Sequence, residues 1–236
     1  METDIKGGTP GSWLAVGWFT PDYRALAEKF AANLTEHGIP HHIFARHKLA
    51  KGWNTLQKPA VVLGAMAAYP DKTLILMDVD CIVRGDIAPV TRLAGDVGLT
   101  LKARQLRKGG KAWQKRVTVI TSSRVVVFRP TAGARRFAEE WREQCKTAHY
   151  SGDETALTWS YLKCPDVTYS YVDERYKAWE VGGKSMPADA VIVHQSAHDK
   201  AARWDSAWDA VKGALKAIER PFRTGRTKRE VRARLG

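Results

Sequence analysis

The sequence predicts an α/β protein built on a Rossmann-like mixed sheet flanked by helices. Three observations favour this fold class. An apolar strand, a helix and a second strand follow one another near the start of the chain. The stretch Thr73–Val83 then reads as a strand buried on both faces, because Leu74–Met77 is an unbroken apolar run. Runs rich in β-branched residues alternate with amphipathic helical segments through the rest of the sequence.

The opening segment predicts a strand–helix–strand unit. Trp13–Phe19 is apolar enough for a buried strand, and Thr20-Pro21-Asp22 is a natural start for a helix over Tyr23–Glu36. His41–Ala45 follows as a short strand, in which alternation sends the two neighbouring histidines to opposite faces and argues against a shared metal ion. This order is typical of the first half of a nucleotide-binding sheet.

The later elements are predicted from the same signals. They are a helix over Ala60–Ala68, a strand over Val97–Leu101, a mobile loop or lid over Lys102–Arg116, two paired strands Val117–Ile120 and Arg124–Phe128, a helix over Ala132–Thr147, a helix opening at Gly152, strands over Asp166–Val172 and Ala190–Val193, and a helix over Trp204–Ile218. We expect one domain over residues 1–218 and a basic tail over residues 219–236.

The composition is that of an ordinary globular protein, with 27% charged and 44% hydrophobic residues among 236. The sequence has no apolar run long enough for a transmembrane helix, and its polar N-terminus does not resemble a signal peptide. The odd number of cysteines, 3, argues against a disulfide framework. We therefore expect a cytoplasmic protein with reduced thiols.

Two carboxylates, Asp78 and Asp80, end the apolar run of Thr73–Val83. Buried charge is costly, so these acids must be neutralised or must hold a cation. The carboxyl end of a strand in an open α/β sheet is where ligands bind, and paired oxygen donors suit Mg²⁺ or Mn²⁺. The alternative is a strand-end turn whose two acids face solvent.

The net charge of +13 predicts an anionic partner, which could be a nucleotide, a nucleic acid or an acidic membrane surface. The charge is concentrated in two segments, Leu99–Arg124 and Arg220–Gly236. A solvated surface and a disordered tail are the alternative explanation for these segments.

Further motifs follow the two aspartates in a definite order. A β-branched strand ending at Phe128 precedes a helix that carries Trp141, and the pattern Asp-x-x-Ala-Leu opens the next helix at Asp153. A late strand ends at His194, with Lys200 six residues further on. In this order the sequence resembles the nucleotide-sugar-dependent glycosyltransferases of the GT-A fold, over about residues 12–200.

The resemblance implies a D-x-D metal site and a nucleotide-sugar donor. Asp80 becomes a direct ligand of Mn²⁺ or Mg²⁺, Asp78 shares the metal or binds the ribose hydroxyls, and His194 completes the protein ligands. Lys200 neutralises the diphosphate leaving group. The expected donor is a UDP-sugar.

The resemblance also suggests residues for the acceptor and the nucleotide. Asp153 is the candidate base or acceptor-orienting residue, with Glu154 second, while helix capping is the alternative role for Asp153. The loop from Thr20 to Tyr23 is expected to contact the nucleobase. Gln57 and Lys58 are expected to contact the sugar phosphates.

The sequence departs from the family pattern at two places. Ser123-Arg124 stands where the family often has a small residue followed by glycine, and Glu154 replaces a usual glutamine. The first departure suggests an unusual acceptor side.

The basic segments, one of which contains a tryptophan, predict contacts with a phosphate backbone and a stacked base. The acceptor is therefore hypothesised to be a hydroxymethylated DNA base of the kind some phages carry, which would place a phage-encoded enzyme in the host cytoplasm. The alternatives are a lipid-linked or surface glycan acceptor, or a nucleic-acid-binding protein without catalysis. The predicted acceptor-binding residues are Lys102, Arg104, Arg107, Lys108, Lys111, Trp113, Lys115, Arg116, Arg223, Arg226, Lys228 and Arg229.

Overall fold

The computed structural model describes residues 2–49, 53–106, 116–147, 152–180 and 187–195. Residues 102–106, 116–119 and 179–180 are described by their backbone alone. The predicted helix over Trp204–Ile218, the domain boundary at residue 218 and the basic tail lie outside the described residues. Within the described ranges, none of the helices combines the length and hydrophobicity needed to cross a bilayer.

The described chain forms ten strands and five α-helices. The strands are β1 (Ile5–Gly7), β2 (Trp13–Phe19), β3 (His41–Ala45), β4 (Thr73–Met77), β5 (Cys81–Val83), β6 (Val97–Leu106), β7 (Arg116–Phe128), β8 (Tyr169–Tyr171), β9 (Ala178–Glu180) and β10 (Ile192–Gln195). The helices are α1 (Arg24–Glu36), α2 (Lys58–Ala68), α3 (Ala88–Thr91), α4 (Ala132–Thr147) and α5 (Gly152–Lys163).

The main sheet has seven strands in the order β1-β3-β2-β4-β7-β6-β8. Strands β3, β2 and β4 run parallel to one another, whereas β7 is antiparallel to both β4 and β6. The first edge strand is antiparallel to β3, and the last is parallel to β6. The sheet is therefore mixed, as predicted, with its parallel part built by the strand–helix–strand unit at the start of the chain.

Strand β4 lies at the centre of the core because both of its faces are apolar. Leu74 and Leu76 pack into a cluster with residues of α2, α4 and α5, whereas Ile75 and Met77 pack into a second cluster with residues of α1. Helices therefore cover both faces of the sheet, which explains the unbroken apolar run in the sequence.

A second sheet of three strands, in the order β5-β10-β9, begins directly after the two aspartates. In it β10 is antiparallel to β5 and parallel to β9. The backbone N–H of Gln195 also donates to the carbonyl oxygen of Asp80 at 2.8 Å. The last described strand is thus attached to the turn that follows β4.

Strand β7 is bulged beside the end of β4. Gly98 on β6 pairs with Val127, but Thr100 pairs with Ser122, so several residues of β7 oppose Leu99 alone. Ser123 and Arg124 lie in this bulge. Because bulges re-aim side chains, they are common next to active sites.

Most predicted elements occur at the predicted positions, and β2, β3 and α4 have the predicted bounds. One prediction is wrong: the two strands expected around residues 121–123 are a single strand, β7, which pairs with β6. The predicted loop over Lys102–Arg116 is also corrected in part, since residues 102–106 extend β6 and Arg116 begins β7. The short strand β1 was not predicted.

The two neighbouring histidines of β3 have structural contacts. Nδ1 of His41 lies 2.9 Å from the carbonyl oxygen of Ile39. Nε2 of His42 lies 2.7 Å from Oδ2 of Asp4, and its Nδ1 lies 3.1 Å from the hydroxyl of Tyr69. These contacts tie β3 to the N-terminal segment and to the end of α2.

Candidate active site

The candidate site lies at the carboxyl ends of two neighbouring parallel strands. β2 ends at Phe19 and β4 ends at Met77, so Thr20 and Asp78 emerge at the same edge of the sheet. The short turn Asp78–Asp80 then joins β4 to β5. This placement follows from the sheet topology, since ligands of open α/β sheets bind at this edge.

The structure brings Asp78, Asp80 and His194 together. Nε2 of His194 lies 3.0 Å from Oδ1 of Asp80 and 3.5 Å from Oδ2 of Asp78. His194 lies on β10, where its register partner is Cys81 of β5. The three side chains are between 8% and 20% exposed, so their charges are only partly solvated.

Lys58 contacts two acids of the candidate site. Its ammonium is buried 2.7 Å from Oδ1 of Asp78 and 2.9 Å from Oδ2 of Asp153. A third contact, at 3.1 Å, is with Oγ of Ser123. Burial lowers the pKa of Lys58, but the two carboxylates outweigh that effect and raise it above its ordinary value.

Asp153 lies in the first turn of α5, and its carboxylate is held by two side chains. Ser123 donates its hydroxyl to Oδ2 of Asp153 at 2.5 Å, in addition to the contact with Lys58. The buried indole of Trp141 donates to the carbonyl oxygen of Asp153 at 3.2 Å. The neighbouring Glu154 accepts from Oγ of Ser122 at 3.3 Å. The carboxylate of Asp153 is thus tied to the D-x-D turn through Lys58.

Arg124 is a further cation beside the carboxylates. Its backbone carbonyl accepts from the N–H of Asp78 at 3.3 Å. Burial lowers the pKa of its guanidinium, while the charges of Glu154, Asp78 and Asp80 oppose that effect. The residue that departs from the family pattern therefore lies among the acids of the site.

The residues predicted to contact the nucleotide lie around the same edge. Thr20 is buried and donates to Oδ1 of Asp22 at 2.6 Å. Tyr23 is half-buried, and its pKa is raised by burial and by the charges of Asp22 and Asp80. Gln57 donates to the carbonyl oxygen of His47 at 3.0 Å.

The side chains of the remaining predicted residues lie outside the described part of the structure. Lys102, Arg104 and Arg116 lie on β6 and β7, where the backbone alone is described. The others lie outside the described residues: Arg107, Lys108, Lys111, Trp113, Lys115, Lys200, Arg223, Arg226, Lys228 and Arg229.

The donor set fits a divalent cation. One carboxylate oxygen each of Asp78 and Asp80 faces Nε2 of His194, and Lys58 contacts the other carboxylate oxygen of Asp78. Carboxylate and imidazole donors suit Mn²⁺, and a cation there removes the cost of partly buried negative charge. Asp80, Cys81 and His194 each also offer a ligand atom within 4.8 Å of the other two. Burial and the charges of Asp78 and Asp80 raise the pKa of Cys81 well above its ordinary value.

We expect Mn²⁺ to bind this site more tightly as the pH rises. Burial lowers the pKa of His194, but contacts with Asp78 and Asp80 raise it above its ordinary value of 6.5. A metal ion needs the neutral imidazole, so below that raised pKa each bound ion must displace one proton. The affinity then falls by about tenfold per pH unit of acidification. Calorimetric titration with Mn²⁺ across neutral pH measures this slope.

The variant His194→Gln is the control for this titration. It removes the titrating group, so its weaker Mn²⁺ affinity is expected to change little with pH over the same range. An affinity of the wild-type protein that does not vary with pH contradicts the assignment of His194 as a ligand.

Comparison with known proteins identifies the fold. No protein-family model matches the sequence, and no curated protein matches it. Among solved structures, a glycosyltransferase involved in glycosylation of the major capsid of PBCV-1 matches with a TM-score of 0.57 and 11% identity, covering 79% of this chain and 94% of that chain. The galactosyltransferase LgtC matches with a TM-score of 0.46 and 13% identity, covering 77% and 86%. The glycosyltransferase GlyE of Streptococcus pneumoniae TIGR4 matches with a TM-score of 0.41 and 13% identity, covering 70% of this chain and 46% of that chain.

The chain therefore has the GT-A fold of glycosyltransferases, and the predicted fold class is confirmed. Sequence reasoning did not predict the contacts that Lys58, Ser122 and Ser123 make with the acids of the candidate site. A usable signal existed for Lys58, because a lysine in the first turn of a helix opposes the helix dipole and needs a compensating acid. No comparable signal marked Ser122. Ser123, which lies in the bulge of β7, was noted only as part of a departure from the family pattern.

Proposed function

We propose that this protein is a metal-dependent glycosyltransferase that moves a sugar from a nucleotide-sugar donor to an acceptor hydroxyl. The observation that carries the proposal is the convergence of Asp78, Asp80 and His194 at the carboxyl edge of a GT-A sheet. A divalent cation held there would supply positive charge that stabilises the diphosphate leaving group of the donor. Mn²⁺ or Mg²⁺ is the proposed ion, and a UDP-sugar is the proposed donor.

One group of side chains is proposed to bind the metal ion and the nucleotide-sugar donor. Asp78, Asp80 and His194 would hold the ion. Thr20, Tyr23 and Gln57 line the edge where the nucleotide is proposed to bind, and Lys200 is proposed to contact the leaving diphosphate.

Asp153 is the proposed base or acceptor-orienting residue. The contacts with Lys58 and Ser123 fix its carboxylate, which is favourable for positioning a reacting group. Lys58 acts in this proposal as a positioning residue, since its ammonium joins the metal-binding Asp78 to Asp153 and has no free face toward a phosphate. Glu154 is the second candidate on the acceptor side.

The acceptor is proposed to be a hydroxymethylated base in DNA. The net charge of +13 supports this acceptor, together with the basic residues of β6, β7 and the segment between them. A two-stranded ribbon of this kind fits the major groove of duplex DNA. The target base must leave the stack to reach the catalytic edge.

A glycan acceptor is the second candidate, and one observation favours it. The structure with a TM-score of 0.57 belongs to a glycosyltransferase that takes part in glycosylation of a viral capsid protein. In this alternative the basic segments contact an anionic surface instead of a nucleic acid.

A transfer assay separates the two acceptors. Purified protein is incubated with Mn²⁺, a panel of nucleotide sugars, and either hydroxymethylated DNA, unmodified DNA or an oligosaccharide. Sugar transferred to hydroxymethylated DNA alone supports the DNA acceptor. Donor turnover that a chelator abolishes, with transfer to the oligosaccharide alone, moves the acceptor to a glycan. Absence of turnover with every donor, together with salt-sensitive DNA binding, leaves a binding protein without catalysis and overturns the proposal.

A further inference from the structure

Cys81 lies beside the proposed metal-binding side chains, although the sequence predicted only that it is a reduced thiol. It begins β5 directly after Asp80, and its register partner on the antiparallel strand β10 is His194. Directly opposed residues of an antiparallel pair place their side chains on the same face of the sheet. The thiol and the imidazole are therefore neighbours, and both residues are buried.

The distances among these groups are close to those of a metal site. One ligand atom each from Asp80, Cys81 and His194 lies within 4.8 Å of the other two. In tetrahedral zinc sites the ligand atoms are about 3.3–3.8 Å apart, given metal–ligand bonds of about 2.0–2.3 Å. The sulfur, nitrogen and oxygen atoms would have to approach one another by at most about 1–1.5 Å to bind one ion.

The donor types differ from those that the proposed reaction needs. Mg²⁺ and Mn²⁺ favour carboxylate and water oxygens, and they have little affinity for sulfur. A set of one thiolate, one imidazole and one carboxylate is instead typical of Zn²⁺ and of its substitutes Co²⁺ and Cd²⁺. The side chains around the D-x-D turn thus form two overlapping sets of metal ligands, which share Asp80 and His194.

We propose that the D-x-D turn also forms a second type of metal site, in which Cys81 is a ligand. Zn²⁺ and other thiophilic divalent ions bind there through Asp80, Cys81 and His194, and they compete with Mn²⁺. The inference rests on the metal-binding part of the proposed function. On binding, one metal–sulfur bond forms and the thiol proton passes to the buffer, with no change of oxidation state. Zn²⁺ and Mn²⁺ cannot occupy the site together, because they share two ligands.

The test uses the full-length, reduced protein and titrates it with Cd²⁺ and with Co²⁺ alone. A thiolate bound to either ion gives an ultraviolet charge-transfer band, which reports the metal–sulfur bond independently of any enzymatic activity. We expect the band to saturate at one ion per chain. In Cys81→Ser we expect the band to disappear and the Cd²⁺ affinity to fall by at least about tenfold.

Two controls make the result decisive. Cys164 is also a free and buried cysteine, so Cys164→Ser is the matched variant and is expected to keep the band. Mn²⁺ binding by Cys81→Ser, followed by electron paramagnetic resonance, shows whether the variant retains the site. A band that persists in Cys81→Ser, or one that is absent from the wild-type protein, overturns the inference.

The outcomes also separate this inference from the proposed function. A wild-type protein that transfers sugar with Mn²⁺ but shows no charge-transfer band refutes the role of Cys81 alone. A protein that shows the band and its loss in Cys81→Ser, but transfers no sugar with any donor, refutes the proposed reaction and leaves the thiophilic site in place.

Discussion

Replacing Asp80 with asparagine is expected to abolish sugar transfer while the fold remains intact. The substitution keeps the size of the side chain but removes the charge that faces Nε2 of His194 at 3.0 Å. Stabilisation of a leaving diphosphate by a metal ion is worth several kcal/mol, so we expect the transfer rate to fall by about 10³-fold. The affinity for Mn²⁺ should fall with it, because one of the ligands loses its charge. Steady-state transfer assays and Mn²⁺ titration measure the two effects.

Asp71→Asn is the matched control for this variant. Asp71 lies in the turn just before β4, at the opposite end of the strand from Asp80, and it is exposed. The substitution makes the same change in net charge away from the carboxyl edge of the sheet. We expect no change in transfer rate or Mn²⁺ affinity. Asp80→Asn protein that keeps full Mn²⁺-dependent activity would falsify the metal site.

Replacing Lys58 with methionine is expected to destabilise the protein by about 3–5 kcal/mol. The methionine fills a similar volume but leaves Asp78 and Asp153 without the ammonium that lies 2.7 Å and 2.9 Å from their oxygens. Removing one partner of a buried ion pair leaves an uncompensated charge, and here two carboxylates lose the same partner. Urea denaturation, followed by fluorescence, measures the loss in the free energy of unfolding.

The comparison for this variant is Lys72→Met, which breaks an ion pair at the surface. Lys72 pairs with Asp71, whose side chain is 71% exposed, and such solvent-exposed pairs contribute little to stability. Adding Asp153→Asn to Lys58→Met is expected to recover part of the stability, because one unpaired charge is removed. If Lys58→Met is no less stable than Lys72→Met, the buried cation does not hold the two carboxylates.

The parts of the fold that follow from local pattern could be predicted from the sequence. β2 is an apolar run that ends at Thr20-Pro21-Asp22, β3 begins directly after Pro40, and α4 has a clear apolar face. The strand β1 was missed because its three residues, Ile5–Gly7, carry almost no apolar pattern. Its pairing with β3 depends on contacts that are distant in sequence.

The course of β7 could not be predicted, because its polar residues are satisfied by another element. Thr121-Ser122-Ser123 has the composition of a turn, so the sequence favoured a break there. In the structure the backbone N–H and the hydroxyl of Thr121 both contact Oγ1 of Thr158 on α5. Ser122 and Ser123 contact the acids of the same helix. The strand continues because α5 supplies these hydrogen-bond partners.

The candidate site likewise contains residues that the sequence could identify and residues whose contacts it could not predict. Asp78 and Asp80 could be found because they follow a buried apolar strand, whereas Asp153 and His194 were singled out by the resemblance to the GT-A glycosyltransferases. Lys58 could be identified as a candidate, but its contacts could not be predicted, since they come from three other parts of the chain. Such contacts depend on packing, which no local pattern encodes.

The position of His194 in the three-stranded sheet has a consequence for folding. The carboxylates emerge from the seven-stranded sheet, whereas the imidazole returns on β10 after most of the chain has passed. An ion bound to both therefore acts as a cross-link between two distant segments. Since the unfolded chain holds no such preformed set of ligands, the binding free energy of the ion adds to the stability of the folded protein. If the proposed site binds a cation, raising the concentration of free cation is expected to increase the stability of the attachment of β10 to the D-x-D turn.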